Sequence, residues 1–325
     1  MRTSSRFSFI LLAGLMLTGC ASGIRFTADE STPKEPFYYE DLDDDTGEKR
    51  PITNLLAGEK LTYDVSWIGI DVGQIIMENH GLEVINGEEA YHLTVITISN
   101  DFLSNFFKIE DTIHTWISRE NGNPIRFEKV IKEGHYERHD VIEYDQENQT
   151  AIYSRKDKKD REDRSMDIPP DVQDALSLIF WLRRQPMGLG KRFKVDVNAD
   201  EKNWEVDVEI IGKGLFKTET MGETKAYTMK PSASHEGKML NKGDLLAWIT
   251  VDRRRIPIAF EVDTPLFGSA VAILSDAVLP PMPEEGEEEK ESEETPERIY
   301  QSGDWIKGLT QAVEGRRREE VNGNQ

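Results

Sequence analysis

Six histidines, one cysteine and a surplus of carboxylates are the groups in this 325-residue chain that could carry chemistry. His135 and His139 stand four apart, which puts both on one side of a helix or a strand, and Glu137 shares that side if the segment is extended. Zinc would need a third and usually a fourth ligand at matching geometry. No companion spacing supplies one, so the pair reads as two surface histidines. Asp111 and His114 in IEDTIHTW stand three apart and fall on opposite faces of a strand, which disfavours a dyad formed within that segment. Gly-x-Ser-x-Gly, P-loop and dinucleotide glycine patterns do not occur. With 61 acidic residues, carboxylate pairs can be assembled anywhere, so their abundance removes their diagnostic value. These residues favour a protein that is not an enzyme and that needs no metal and no cofactor; a hydrolase using unidentified carboxylates is the remaining catalytic alternative.

The cysteine has a different chemistry. Arg2 and Arg6 precede an uncharged, mostly apolar run, Phe7–Leu17, that ends in Thr18-Gly19-Cys20, the basic, apolar and small order of an export signal. The run is too short to cross a bilayer, which takes roughly 20 residues. Leu17-Thr18-Gly19-Cys20 resembles the bacterial lipobox, in which the thiol is alkylated with diacylglycerol, the chain is cut between Gly19 and Cys20, and the new amino group takes a fatty acid such as palmitate. Residues 1–19 are then a lipoprotein signal peptide and Cys20 a membrane anchor facing the periplasm. Ala21 stands where enteric-type bacteria use aspartate to retain lipoproteins in the inner membrane, which favours the outer membrane. The mature chain, 306 residues after 19 are removed from 325, keeps no cysteine, so its stability must come from core packing.

A formal charge of −21 argues against nucleic acid and against tight electrostatic docking on anionic lipid. The acids concentrate at the flanks: nine against two lysines in Ala28–Lys49 give −7, and nine against one lysine in Glu284–Glu297 give −8. Residues 20–55, with Pro33, Pro36 and Pro51, are expected to be a disordered acidic tether. As a flexible coil it would span roughly 30 to 35 Å. Phe37-Tyr38-Tyr39 interrupts it and reads as a clip on the domain. Residues 281–298 read as an acidic disordered linker, and residues 299–325 as a short amphipathic tail built on Ile299, Trp305, Ile306, Leu309 and Val313.

Residues 56–280 must do the positioning, and their pattern is that of strands. KLTYDVSWIGIDVGQIIMEN alternates through Leu61, Tyr63, Val65 and Trp67 and again through Ile70, Val72 and Ile75, with Gly69 and Gly73 at places for a bend or bulge. Strands recurring at roughly ten-residue spacing without βαβ crossovers predict a mainly β domain: a curved antiparallel sheet, or a partly open β-barrel or sandwich. SRKDKKDREDRSMD mixes its charges and reads as a solvated hairpin tip. One segment breaks the alternation. PPDVQDALSLIFWLRRQPMGLG has apolar residues at helical spacing, an acidic start at Asp171 and a basic end, which predicts one buried amphipathic helix over Val172–Arg184. It serves as a core plug or as a lid over an apolar cavity. Trp67, Trp116, Trp181, Trp204 and Trp248 fall at core-type positions. Trp67, Trp116, Leu176, Phe180, Trp181 and Trp248 are the candidate cavity or lid residues if the sheet is only half closed.

AGEKLTYDVSWIGIDVG, IEDTIHTWI, PIRFEKVIKEG, VQDALSLIFWLR and DRRRIPIAFEV occur in this order between Leu56 and about Val278. On these motifs the chain resembles the exported-protein family of domain of unknown function number 3108. The resemblance implies a secreted or periplasmic, mainly antiparallel β protein and no catalytic residues. The functions expected from the whole are a lipid-anchored envelope protein that binds an apolar ligand or envelope component without covalent chemistry, or a scaffold that presents edges and loops to envelope partner proteins.

Overall fold

The computed structural model describes residues 55–157, 161–218, 220–239, 244–264 and 268–282. The signal peptide, Gly19 and Cys20, the expected tether as far as Asn54 with Phe37–Tyr39, the acidic linker beyond Met282 and the tail with Trp305 lie outside the described residues, whereas Leu55, expected to end the tether, is buried in the core.

The first half of the domain is β1 (Lys60–Trp67), β2 (Ile70–Ile85), β3 (Glu88–Ser99), α1 (Asp101–Ser104), β4 (Glu110–Ser118), β5 (Pro124–Glu133), β6 (Tyr136–Asp145), β7 (Thr150–Asp157) and β8 (Arg161–Asp167). After it come β9 (Gln173–Asp174), α2 (Ser177–Arg183), β10 (Arg192–Ala199), β11 (Lys202–Thr218), β12 (Gly222–His235), β13 (Lys238–Met239), β14 (Asp244–Thr250), β15 (Pro257–Thr264) and β16 (Gly268–Val278). All sixteen strands form one curved sheet in the order β8-β7-β6-β5-β4-β3-β2-β1-β16-β15-β14-β12-β11-β10-β9, with β13 on β12. Every pairing is antiparallel except the short β9 against β10. The fold is therefore the mainly β architecture that the alternation predicts.

Local chemistry sets the register. Asn86-Gly87, at φ 53° and 84°, closes the β2–β3 hairpin in the left-handed turn that this pair favours. Between β1 and β2 the register shifts by one, Val65 facing Gly73 and Ser66 facing Asp71, so Val72 bulges. A Cβ on Gly73 would stand 2.0 Å from the Ile98 carbonyl oxygen of β3, a backbone atom with little freedom to retreat. Gly73→Ala is accordingly expected to cost about 3 kcal/mol, the upper end of overpacking penalties. A urea midpoint unchanged from wild type would contradict this close approach.

The sheet curls until its two ends meet, and side chains close the seam. The β10–β11 turn is Asp200-Glu201, both left-handed (φ 47° and 61°) without a glycine. Ion pairs hold it: Glu201 Oε1 to Arg155 Nη1 at 2.9 Å, Glu201 Oε2 to Arg164 Nη1 at 2.7 Å, and Asp200 to Arg138 at 3.9 Å. Behind them the buried Asp140 binds Arg138 at 2.9 Å and Arg155 at 3.1 Å. Asn203 Nδ2 donates to the Asp167 carbonyl at 2.8 Å and the Tyr144 hydroxyl to Asn198 Oδ1 at 3.3 Å. The seven described residues of the charged stretch 155–164 belong to the β7–β8 hairpin, and two of its arginines are seam partners as well as solvated charges.

The helix is shorter than the periodicity suggests. Val172–Leu176 precede it: Gln173 and Asp174 pair with Val197 and Asn198 of β10, and α2 begins at Ser177. Asp171, expected to start the helix, instead sits at φ 55° and accepts a hydrogen bond from Asn123 Nδ2 at 2.7 Å. The carboxylate bonded to the backbone N–H groups at the helix start is that of Asp174, three residues on.

Candidate functional site

Apolar residues of α2 and its lead-in divide between two clusters. Leu176 and Phe180 pack into the first, with Leu61, Tyr63, Leu93, Ile117 and Tyr144 of the strands. Leu178 and Leu182 pack into the second, with Val197, Trp204, Val206 and Ile210. Both sides of the helix are thus buried. A surface helix would bury one stripe only.

Each end of α2 is tied down. Asp174 Oδ1 accepts from the N–H groups of Leu176 at 2.8 Å and Ser177 at 2.7 Å, while Ser177 Oγ accepts from the Asp174 N–H at 2.8 Å. These reciprocal bonds close the turn from Asp174 to Ser177 that leads into the helix, whose N-cap residue, Leu176, makes no side-chain capping bond. Asp174 Oδ2 accepts from the Thr115 hydroxyl of β4. Burial pushes the Asp174 carboxyl up to about 6, against the hydrogen bonds from Thr115, Ser177 and Leu176. At the other end Arg183 donates Nη1 to Glu59 Oε1 at 2.6 Å and Nη2 to Glu59 Oε2 at 2.8 Å. Nη2 also donates to the Arg254 carbonyl at 3.0 Å, and the guanidinium lies 5.4 Å over the Phe180 ring. Both partners of this forked pair are buried, with side chains 3 % and 5 % exposed.

The candidate cavity residues separate by cluster. Trp67, Leu176, Phe180 and Trp248 come together at the first, where the Trp248 ring is 5.6 Å from Phe216. Trp181 packs against the second. Trp116 belongs to neither; it joins Ala90 and Ile125 on the face of β4 turned away from Ile113 and Ile117.

That face carries an arrangement the sequence pattern did not single out. His92 Nδ1 meets Glu83 Oε1 at 3.1 Å, His92 Nε2 meets His114 Nδ1 at 2.9 Å, and Trp116 Nε1 donates to Glu83 Oε2 at 3.1 Å. The His92 ring lies 4.5 Å from Trp116, 4.8 Å from His80 and 5.2 Å from His114, and Arg126 stands 5.7 Å over Trp116. Burial, aided by the neighbouring His92, pushes the His114 imidazole down to about 3. Burial works against ionisation of Glu83, yet its bonds to His92 and Trp116 hold the carboxyl below its usual range. The one visible signal was parity: His92 and His114 each interrupt an apolar alternation on the side opposite the core. Their meeting depends on the β3–β4 register, which spacing does not give.

Other predicted sites resolve plainly. His135 sits in the two-residue β5–β6 turn rather than on a strand with His139. His139 Nε2 meets the buried Glu128 at 2.6 Å. Asp111 accepts from the Lys132 N–H at 2.8 Å, on the other side of β4 from His114, and burial raises it to about 6 against that bond. His80 Nε2 meets the Thr94 hydroxyl at 2.9 Å, and Glu78 approaches the same nitrogen at 3.9 Å, unlike a hydrolase triad, where the acid holds the other one. Among the described residues no group of three or more His, Cys, Asp or Glu is arranged to hold a metal ion.

Residues 62–275 match the family described as a protein of unknown function, DUF3108. The chain belongs to that family. No curated protein matches it. Among solved structures, this DUF3108 chain is similar to a β-barrel-like protein of domain of unknown function DUF1849 from Brucella abortus, with a TM-score of 0.50, 11 % identity, and coverage of 72 % of this chain and 100 % of that one. At that identity the likeness concerns the fold alone. A candidate lipoprotein from Parabacteroides distasonis follows at TM-score 0.32 and 8 % identity, over 72 % of this chain and 100 % of that one. A candidate exported protein with a YmcC-like fold from Bacteroides fragilis gives 0.29 and 8 %, over 71 % and 99 %. Those two scores are too low to establish a shared fold with the DUF3108 domain.

Proposed function

We propose that this DUF3108 protein is a lipid-anchored component of the cell envelope that works by non-covalent binding, its curved sheet taking up an apolar envelope component beside α2. One observation carries the reading: α2 holds apolar side chains in two separate clusters, so moving it would open an apolar cleft between the halves of the sheet. Trp67, Leu176, Phe180 and Trp248 would line one wall. Native mass spectrometry of the chain from Thr53 onward tests it. Co-purifying lipid that is displaced by added fatty acid supports the proposal, whereas a domain that stays empty at every lipid concentration ends it.

The Glu59–Arg183 pair favours a second reading, in which α2 never moves and the domain serves envelope partners through its outer surface. Both readings place the protein on a membrane through Cys20, and Ala21 favours the outer membrane. Cys20→Ser is expected to abolish incorporation of labelled fatty acid and block removal of residues 1–19. Equal processing of that variant would refute the anchor.

A further inference from the structure

We infer that one end of the sheet, formed by the β1–β2 turn and the α1 loop, is a bilayer-contact surface, an inference that rests on the proposed anchor at Cys20. Two neighbouring loops expose large apolar side chains there: Ile68 41 %, Ile70 54 %, Phe102 56 % and Phe106 78 % exposed. The loops are bound together, because Asn100 N–H donates to the Val72 carbonyl at 2.9 Å and Asn100 Nδ2 to the Asp71 carbonyl at 2.7 Å. The same Asn100 caps α1 through Leu103 N–H at 2.9 Å, which presents the two phenylalanines together with ring centroids 5.8 Å apart. Paired aromatics held out by a rigid loop cost solubility and contribute nothing visible to the core.

The occupant follows from the chain that precedes the domain. Between Cys20 and Leu55 lie 34 residues, and Leu55 stands at the far end of β1 from Ile68. The eight residues of β1 cover roughly 26 Å at 3.3 Å each. A chain of that length would average roughly 30 to 35 Å as a flexible coil and would reach more than twice as far when drawn out. The anchor therefore lets the domain lie with Ile68, Ile70, Phe102 and Phe106 on the surface that holds the lipid. Charge decides the kind of surface. Asp71, Asp101 and Glu110 accompany the patch, with Lys108 already paired to Glu110 at 2.5 Å. Contact is thus by apolar insertion into a zwitterionic interface and not by attraction to anionic headgroups.

The sequence's single cysteine makes the test direct. With Cys20 lipidated, an Asn105→Cys substitution places one thiol between Phe102 and Phe106, and Glu88→Cys places one at the start of β3, opposite Ile85 at the far end of β2. Each variant of the full anchored chain is labelled with an environment-sensitive fluorophore and reconstituted in phosphatidylcholine vesicles containing brominated acyl chains. Quenching and a blue shift at 105 but not at 88 are expected. Adding Phe102→Ser and Phe106→Ser, both at exposed positions, should lower vesicle partitioning of the unanchored chain by about tenfold per phenylalanine. A 105 label that behaves like the 88 label, on vesicles where mass spectrometry shows the Cys20 lipid, overturns the surface and leaves the anchor standing. If the lipid is absent, the anchor reading fails, and the same labels on chain that also carries Cys20→Ser, added to vesicles, decide the surface: quenching at 105 retains it and none ends it.

Discussion

An Arg183→Leu variant is expected to lose about 3 to 5 kcal/mol of stability, because it leaves the buried Glu59 carboxylate without its forked partner. Two buried charges in mutual contact offset their desolvation; one alone does not. Glu59→Leu should be comparably harmful, since it removes the only carboxylate bonded to the guanidinium among the described residues and leaves it the Arg254 carbonyl and the Phe180 ring face. The Glu59→Leu/Arg183→Leu double variant should recover much of the loss, as apolar replacement of a whole buried pair is often close to neutral. Urea unfolding followed by tryptophan fluorescence measures all four proteins. Additive losses in the double variant would mean that the two residues act independently, contrary to the 2.6 and 2.8 Å contacts. The same series bears on function. If α2 moves to admit an apolar ligand, the single variants should take up fatty acid more readily than wild type.

The second large effect is on pH dependence. His114 is held near 3 when folded, against 6.5 for the free side chain. Its folded-state pKa is depressed, so the unfolded chain binds the proton more readily. Stability from this group is fully present above 6.5 and is lost as pH falls toward 3. At 1.36 kcal/mol per unit, about 2 kcal/mol should disappear between pH 6.5 and pH 5. Asp111 and Asp174 work in the opposite direction over part of the same range. Both are raised from 3.8 to about 6, so their contribution is full below 3.8 and is lost as pH rises through about 6. The wild-type curve is therefore a difference of opposing slopes, and a His114→Gln variant separates them. Its stability relative to wild type should improve by about 2 kcal/mol on going from pH 7 to pH 5. A gap between the two proteins that is the same at both values would show that His114 titrates normally.

Much of the architecture was legible because strand alternation is a local signal. Leu61, Tyr63 and Val65 announce a buried face without reference to any partner, and Gly73 marks the bulge through a steric demand of its own. The helix was legible in kind and not in extent. Asp171 and Asp174 are both plausible caps, and the choice was made by β10, whose Val197 and Asn198 hold Gln173 and Asp174 extended. The histidine stack was hidden for a related reason: His80, His92 and His114 meet only through the registers of three strands and the shift between Asn79 and Leu82. Glu59 and Arg183 are 124 positions apart, beyond the reach of any local pattern. Trp116 shows the limit from the other side: it is buried, as its size suggested, but parity sets it in a separate small cluster with Ala90 and Ile125.

β1 and β16 are the first and last long strands, and they are neighbours, with Lys60 opposite Val278. The two ends of the domain consequently leave it side by side. Tension between an anchored amino end and anything held by the carboxyl end would act on this pair as on a zipper, one rung at a time, instead of shearing the whole ladder at once. On the amino side, after buried Leu55 and Leu56 and the Gly58 N–H bond to the Asn79 carbonyl, comes Glu59, clamped to Arg183 one residue before the zipper begins. The ion pair that fixes the interior helix would thereby also be a mechanical latch, placed beside the first rung of the ladder that a pull on a tethered amino end would load.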